Sequence, residues 1–320
     1  MRWILWTLAL IVLVVLFVSG AVLTVLASRG KDFLVRRVGT LKMEKRTPID
    51  DTGVYIIDSI TLKDSRGMEV KGFLRIPHGE GPFPAVVLLA GLNTGRESLE
   101  WVMDVPETRH VAFLTLDYPY QGKTQFENIE FLRNLGPIYD ALFDGVNAGI
   151  YAQRYLAKLP EIDSDRIFIV GVSFGAFYSI VSGALDPNFA MVGVFFGGAD
   201  FAALLDHNMA RQGILKLAPI RWAASRIAAM VLHPLEPMEW IGKIAPRPVL
   251  MINGTQDASI PEEYATELFR AAGNPKKLVW IDSKHIDQQG PAIVGELISV
   301  SAAWLDSLGL LEPVPEMMTP

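Results

Sequence analysis

The sequence predicts an α/β chain: a mainly parallel sheet with helices on both faces, a helical insertion, and one apolar helix ahead of the domain. Three observations carry that prediction. Short β-branched runs alternate with helical stretches along most of the 320 residues, the pattern of strand–helix–strand units. Ala85-Val86-Val87-Leu88-Leu89 is apolar without interruption, as a strand buried on both faces must be. The strand-like Ile167-Phe168-Ile169-Val170 runs directly into the glycine turn Gly171-Val172-Ser173-Phe174-Gly175, and a helix-compatible stretch follows at once.

Taken in order, the first element is an apolar run. No charged residue occurs from position 3 to position 28. A membrane-spanning helix needs roughly 20 apolar residues, whereas the core of a cleaved export signal spans about 7–15. The run therefore reads as an uncleaved transmembrane anchor, with Val25-Leu26-Ala27 as the one cleavage-like site. Residues 29–46 then carry seven basic side chains: Arg29, Lys31, Arg36, Arg37, Lys42, Lys45 and Arg46. They read as a juxtamembrane linker, and the positive-inside rule places the following domain in the cytoplasm. The short Met1-Arg2 start keeps export of the domain open as the opposite reading.

The catalytic domain is expected over 47–320. Residues 54–62 and 68–76 read as strands joined across Asp64-Ser65-Arg66-Gly67, an antiparallel hairpin. Strands follow at 84–90, 111–116, 166–170, 190–196, 248–252 and 278–281. Helices are expected over about 138–159, from Phe174, behind Pro261, and over about 291–307. Between Asp200 and Ile244 the alternation breaks into a helical stretch, read as a lid over about 201–243. Its apolar residues Met209, Leu215, Leu217, Trp222, Met230 and Val231 read as packing, with an acyl pocket as the second reading.

Composition narrows the chemistry. Half of the chain is apolar, a fifth is charged and cysteine is absent. That excludes disorder, a disulfide scaffold, thiol catalysis, cysteine-ligated zinc and iron–sulfur clusters. The formal net charge is −6, and with the basic linker set aside the remainder is more acidic still. Such a surface repels phosphate backbones, so nucleic acid is not expected as a partner.

The constellation that remains is centred on Ser173. A serine hydroxyl is a weak nucleophile and needs a base within hydrogen-bond reach. In a strand–turn–helix elbow of the GxSxG type the partners follow in the order acid, then histidine. Of the five histidines, His78 and His110 precede the serine, and His207 and His233 fall in the expected lid. His285, just past the last strand, remains. The acid is expected beyond a strand between these positions, and Asp257, after Asn253-Gly254-Thr255-Gln256, fits; Asp200 is the runner-up. The oxyanion formed on acyl attack needs two backbone donors, and the N–H groups of Phe174 and Leu92 are expected to supply them.

On these residues the chain resembles the α/β-hydrolase superfamily over about 54–307, nearer its dienelactone-hydrolase-like and prolyl-oligopeptidase-like esterase branches than the lipases. Asp117-Tyr118-Pro119-Tyr120-Gln121-Gly122 sits where many members carry an Asp, aromatic and Gly loop beside the pocket. Residues 248–257 are similar to the family's Pro-x-Leu-x-x-x-Gly-x-x-Asp stretch. Ala90 departs from the pattern, since many relatives have a histidine before that glycine. The expectation is a membrane-anchored serine hydrolase acting through an acyl-enzyme on a carboxylic ester, a thioester or a small amide. No cofactor or metal is called for. The competing expectations are an acyltransferase using the same acyl-enzyme and a silent fold used for binding.

Overall fold

A computed structural model describes residues 31–91, 94–118, 128–286 and 292–311. Helix α1, Lys31–Arg37, opens the described chain, and strand β1, Leu41–Asp51, follows. Strands β2 (Tyr55–Asp64) and β3 (Glu69–Pro77) form the expected hairpin. Its turn is held by Asp64, whose Oδ1 accepts the N–H groups of Arg66 at 2.8 Å and Met68 at 3.0 Å. Strand β4 is Phe83–Leu89 and β5 is Ala112–Leu116; helix α2 runs from Asn128 to Leu156. Strand β6, Ile162–Val172, leads into helix α3, Phe174–Leu185, and then β7, Met191–Phe195. After α4 (Phe201–Arg211), α5 (Ala218–Leu232) and the short α6 (Pro237–Trp240) come β8 (Val249–Gly254), α7 (Glu262–Ala271), β9 (Lys276–Ile281) and α8 (Ala292–Ser307).

Among the described residues nine strands make one sheet, in the order β1-β2-β3-β5-β4-β6-β7-β8-β9. The pairs β1–β2, β2–β3 and β3–β5 are antiparallel, and all pairs from β5–β4 to β8–β9 are parallel. The parallel part explains the apolar runs. Every residue of β4, β5, β7 and β8 is buried, because helices cover both faces of a parallel sheet. β2 alternates buried and half-buried positions, as a strand with one wetter face does.

Two compact units divide the chain: the sheet unit, Arg37–Ala199 resuming at Pro237, and a second unit that holds Asp200–Glu236. Within the second, α4 and α5 pack on each other, tied by an ion pair from Arg221 Nε to Asp206 Oδ1 at 3.1 Å. Asp200 caps α4, its carboxylate accepting the N–H of Ala203 at 3.0 Å.

Several expectations shift. The linker expected to end at 46 runs into β1, which pairs with β2 along its length. Arg46, counted as linker, bonds Asp58 at 2.6 Å and Glu161 at 3.1 Å. Arg37 likewise meets Asp140 at 3.1 Å and Asp144 at 3.0 Å. Helix α2 begins ten residues before the expected start at 138; Gly136-Pro137 lies inside it rather than ahead of it. The helical stretch expected over 201–243 divides, with residues from Pro237 on belonging to the sheet unit. Leu215, Leu217, Trp222 and Met230, read as packing, are exposed. The apolar run 3–28, Leu92, the loop 119–122 and the tail past 311 lie outside the described residues. Among the described residues no helix is long and apolar enough to cross a membrane.

Arg75 ties the antiparallel margin to the connection between β4 and β5. It is fully buried, and its guanidinium donates to the carbonyls of Val102 (2.8 Å), Thr108 (2.8 Å) and Val111 (3.0 Å). The rings of Tyr55 and Phe113 flank it at 4.1 and 4.8 Å. Burial pushes its pKa down to about 10, which leaves it charged near neutrality. Arg75→Met would remove three charge-assisted hydrogen bonds, each worth roughly 1.5–3 kcal/mol, although Val102 O would keep the Thr108 hydroxyl and Thr108 O the Val111 N–H. The expected result is a urea-unfolding free energy lower by about 3 kcal/mol; an unchanged midpoint would show that water replaces the guanidinium.

Candidate active site

The site is assembled at the carboxyl ends of the parallel strands, where open α/β sheets bind ligands. Strand β6 ends at Val172, and Ser173 turns the chain sharply into α3. Its backbone sits at φ 57°, ψ −116°, a strained conformation for a residue with a side chain. The N–H of Ser173 donates to Phe195 O at 2.8 Å, which holds the turn against the end of β7. The two flanking glycines are there for space. A Cβ on Gly171 would lie 2.1 Å from Gly175 O, and a Cβ on Gly175 would lie 1.9 Å from Leu89 O. The strand, turn and helix expected of the GxSxG elbow are all found.

Two further loops bring their side chains to the serine. Ser173 Oγ and His285 Nε2 are 2.7 Å apart, and His285 Nδ1 and Asp257 Oδ2 are 2.7 Å apart. The Asp257 carboxylate is fully buried, and its Oδ1 accepts the N–H groups of Ser259 at 2.7 Å and Ile260 at 2.9 Å. With Nδ1–H donated to the carboxylate, Nε2 is left as an acceptor aimed at Oγ. Thus the structure brings together the three side chains expected from the sequence. Asp257 rather than Asp200 meets the imidazole.

Backbone bonds set this alignment. Thr255 N donates to Ile281 O at 2.9 Å, and Gln256 N donates to Ser283 O at 2.9 Å. A Cβ on Gly254 would lie 2.3 Å from Ser283 O, so glycine lets the two loops touch. Asn253, fully buried, donates through Nδ2 to Gly197 O at 3.0 Å, which ties the Asp257 loop to the end of β7. The ring of Phe196 meets the His285 imidazole edge-on, centroids 5.6 Å apart.

Phe174 is the first residue of α3. Its N–H is one of the four that helix geometry leaves without an intrahelical acceptor, beside Ser173 Oγ. Leu92, the other expected donor, lies outside the described residues; Gly91, its neighbour, comes within 4.0 Å of Ser173 Cβ, measured from a Cβ built on the glycine. The loop is held from both sides by residues whose roles sequence reasoning missed. Tyr118 Oη donates to Ala90 O, and its ring packs against Phe174 and Tyr178, centroids 6.1 and 5.6 Å away. Burial raises the Tyr118 pKa above its ordinary value, so the hydroxyl stays a donor. Asp117 Oδ1 accepts the N–H of Arg96 at 3.1 Å, where the chain leaves the loop. An apolar cavity of about 100 Å³ lies between the sheet and α8, lined by Val86, Phe168, Phe195 and Leu297 among others. Ser173 and His285 do not line it, but their chain neighbours Val172 and Ile286 do.

A family model described as Esterase FrsA-like matches residues 49–217, more than half of the chain. A hydrolase from Paenarthrobacter nicotinovorans, 2,6-dihydropseudooxynicotine hydrolase, is 33% identical over 124 residues, 39% of this chain and 31% of that protein. Esterase FrsA of Yersinia pestis (strain Pestoides F) is 27% identical over 135 residues, 42% of this chain and 30% of that protein. The chain thus spans about a third of the length of these curated relatives. Among solved structures, 2,6-dihydroxy-pseudo-oxynicotine hydrolase superposes with a TM-score of 0.56 at 20% identity, covering 87% of this chain and 72% of that one. Acetyl xylan esterase from Paenibacillus sp. R4 gives 0.62 at 17% identity, covering 86% and 92%. At these identities the likeness is one of fold, that of the α/β-hydrolases.

The glycine contacts make a direct prediction. Gly175→Ala places a methyl group inside the Leu89 carbonyl and is expected to remove the cooperative thermal transition or lower its midpoint by at least 10 °C. A variant that melts like wild type would mean that α3 can move off β4.

Proposed function

The chain belongs to the FrsA-like esterase family, and from that premise we propose that it is a membrane-anchored serine hydrolase that cleaves a carboxylic ester through Ser173, His285 and Asp257. One observation carries the reading: an unbroken serine–imidazole–carboxylate chain of two 2.7 Å contacts, mounted on a strained elbow.

His285 Nε2 takes the Ser173 proton as Oγ attacks the carbonyl carbon. The negative charge that develops on the carbonyl oxygen is held by the N–H of Phe174 and, from the loop after β4, that of Leu92. Asp257 keeps the imidazole in the tautomer that can accept at Nε2 and stabilises the imidazolium once formed. The tetrahedral adduct collapses: the bond to the alcohol oxygen breaks, and His285 gives that oxygen its proton. Water then gives a proton to His285 and attacks the acyl-serine; the acid leaves and the proton returns to Ser173 Oγ. A thioester or small amide would pass through the same steps with sulfur or nitrogen as the leaving atom.

Ser173→Ala should abolish both fluorophosphonate labelling and hydrolysis of p-nitrophenyl acyl esters, with the unfolding midpoint kept. Asp257→Asn should lower kcat by about 10³–10⁴-fold. Turnover that survives in Ser173→Ala would remove the acyl-serine from the reaction.

The anchor rests on the uncharged run from position 3 to 28, and the cytoplasmic side rests on the basic residues that follow. The full chain is expected to stay with membranes in alkaline carbonate, with its domain digested by protease only when the cytoplasmic face is open. Release by carbonate would dispose of the anchor, and digestion from the other face would reverse the orientation.

A further inference from the structure

The pair α4–α5 has a packing face and a second, unused one. On α5, Arg221 bonds Asp206 of α4 and Ser225 is buried; that side is the seam between the two helices. The opposite side carries Ile220, Ala223, Ile227 and Met230, which recur at the spacing of one helical face. Ile220 is 52% exposed, Ile227 47% and Met230 40%; Trp222 and Leu217 are more open still, at 56% and 66%. Of the thirteen exposed large apolar side chains among the described residues, seven fall between 214 and 230. A cluster of exposed apolar side chains along one helix face marks a surface that another phase or partner covers.

Charge says what covers it. Helix α5 and the two residues ahead of it carry Lys216, Arg221 and Arg226 and no acidic residue; Arg221 is paired with Asp206 of α4, which leaves Lys216 and Arg226 on the outer side. The chain as a whole is acidic, at −6, so this stretch stands out against its own protein. The Arg226 guanidinium lies 4.1 Å from the Trp222 ring, placing a cation on an aromatic ring at the border of the apolar face. Apolar residues on one side, a tryptophan and cations at their edge, and no carboxylate are the features of a helix that lies in the headgroup layer of a bilayer. A second copy of this chain would bring the same positive charge to the contact, which disfavours it.

We infer that α5, with Leu217 just ahead of it, docks on an anionic phospholipid surface through Leu217, Ile220, Trp222, Ile227 and Met230, with Lys216 and Arg226 facing the headgroups. The inference does not rest on the Ser173 chemistry. The apolar run at the N-terminus, proposed above as an anchor, would raise the local concentration of lipid at this helix but is not what binds it.

Because the chain has no cysteine, a single reporter can be placed without other changes. Full-length Ile227→Cys carries an environment-sensitive fluorophore, and Glu80→Cys, exposed in the sheet unit, serves as reference. Both are mixed or reconstituted with vesicles of phosphatidylcholine and phosphatidylserine that contain a nitroxide lipid. The expected result is a blue shift and quenching at 227, at least fivefold stronger than at 80. Charge reversal with Lys216→Glu and Arg226→Glu, or removal of phosphatidylserine, should reduce the quenching severalfold. Four results would overturn the inference: a reporter at 227 that stays in water on these vesicles; equal quenching without anionic lipid; shielding that grows with protein density, which assigns the face to a second copy; and a blue shift without nitroxide quenching, which assigns the face to another segment of this chain. Flotation and carbonate extraction are scored separately and report the anchor alone.

Discussion

Two backbone segments pass so close that neither can carry a side chain, and the rest of the site depends on that contact. The Gly175 Cα faces the Leu89 carbonyl, and Gly171 faces the Gly175 carbonyl. With no Cβ at either place, α3 can start directly over the ends of β4 and β6. The residue between them has to absorb the change of direction, and Ser173 does so at φ 57°. Such a conformation costs of order 1–3 kcal/mol. It is held by the bond from Ser173 N to Phe195 O and by the start of α3 at Ala176 N. The same turn lifts Oγ clear of the sheet and leaves the next N–H without a helical partner. Nucleophile and donor thus come from one packing constraint.

Strand order does the remaining placement. β6, β7, β8 and β9 are parallel neighbours, so the loops that follow them emerge side by side at one edge. Asp257 and His285 need only short loops to reach Ser173, although they lie far apart in sequence. The loops are fastened by main-chain hydrogen bonds, by the Asn253 amide and by Asp257 Oδ1, which accepts two backbone N–H groups of its own loop. His285 is therefore oriented before any substrate arrives, which is the kind of preorganisation acyl transfer exploits.

Ser173, Asp257 and His285 were readable because each closes an apolar run and local chain pattern reports strand ends. The parallel strands were readable for the same reason: burial on both faces leaves an unbroken apolar signature. β1 left no such signature. Leu41-Lys42-Met43-Glu44-Lys45-Arg46-Thr47-Pro48 is charged and largely exposed, so neither of its faces writes a hydrophobic period, and the basic residues read as linker. The contacts of Asp117 and Tyr118 join strand ends to a loop some twenty to thirty residues earlier. Only the pairing of β4 with β5 creates that proximity, and no local pattern encodes it. The exposed side of α5 was misread because apolar residues at helical spacing look the same whether they meet protein or another medium; charge, not periodicity, distinguishes the two.

The unremarkable composition of β1 has a consequence for how copies of the chain tolerate one another. The outer strand of any open sheet offers a row of unpaired donors and acceptors to the next molecule. On β1 that row is broken. The register shifts between Leu41 and Met43 and again between Pro48 and Asp50, and Pro48 has no N–H to give. Lys42, Glu44 and Lys45 are exposed along it. An incoming strand would meet a bent template, a missing donor and charges that must lose their water. The features that hid β1 in the sequence are the ones that blunt this edge of the sheet against a strand from another molecule.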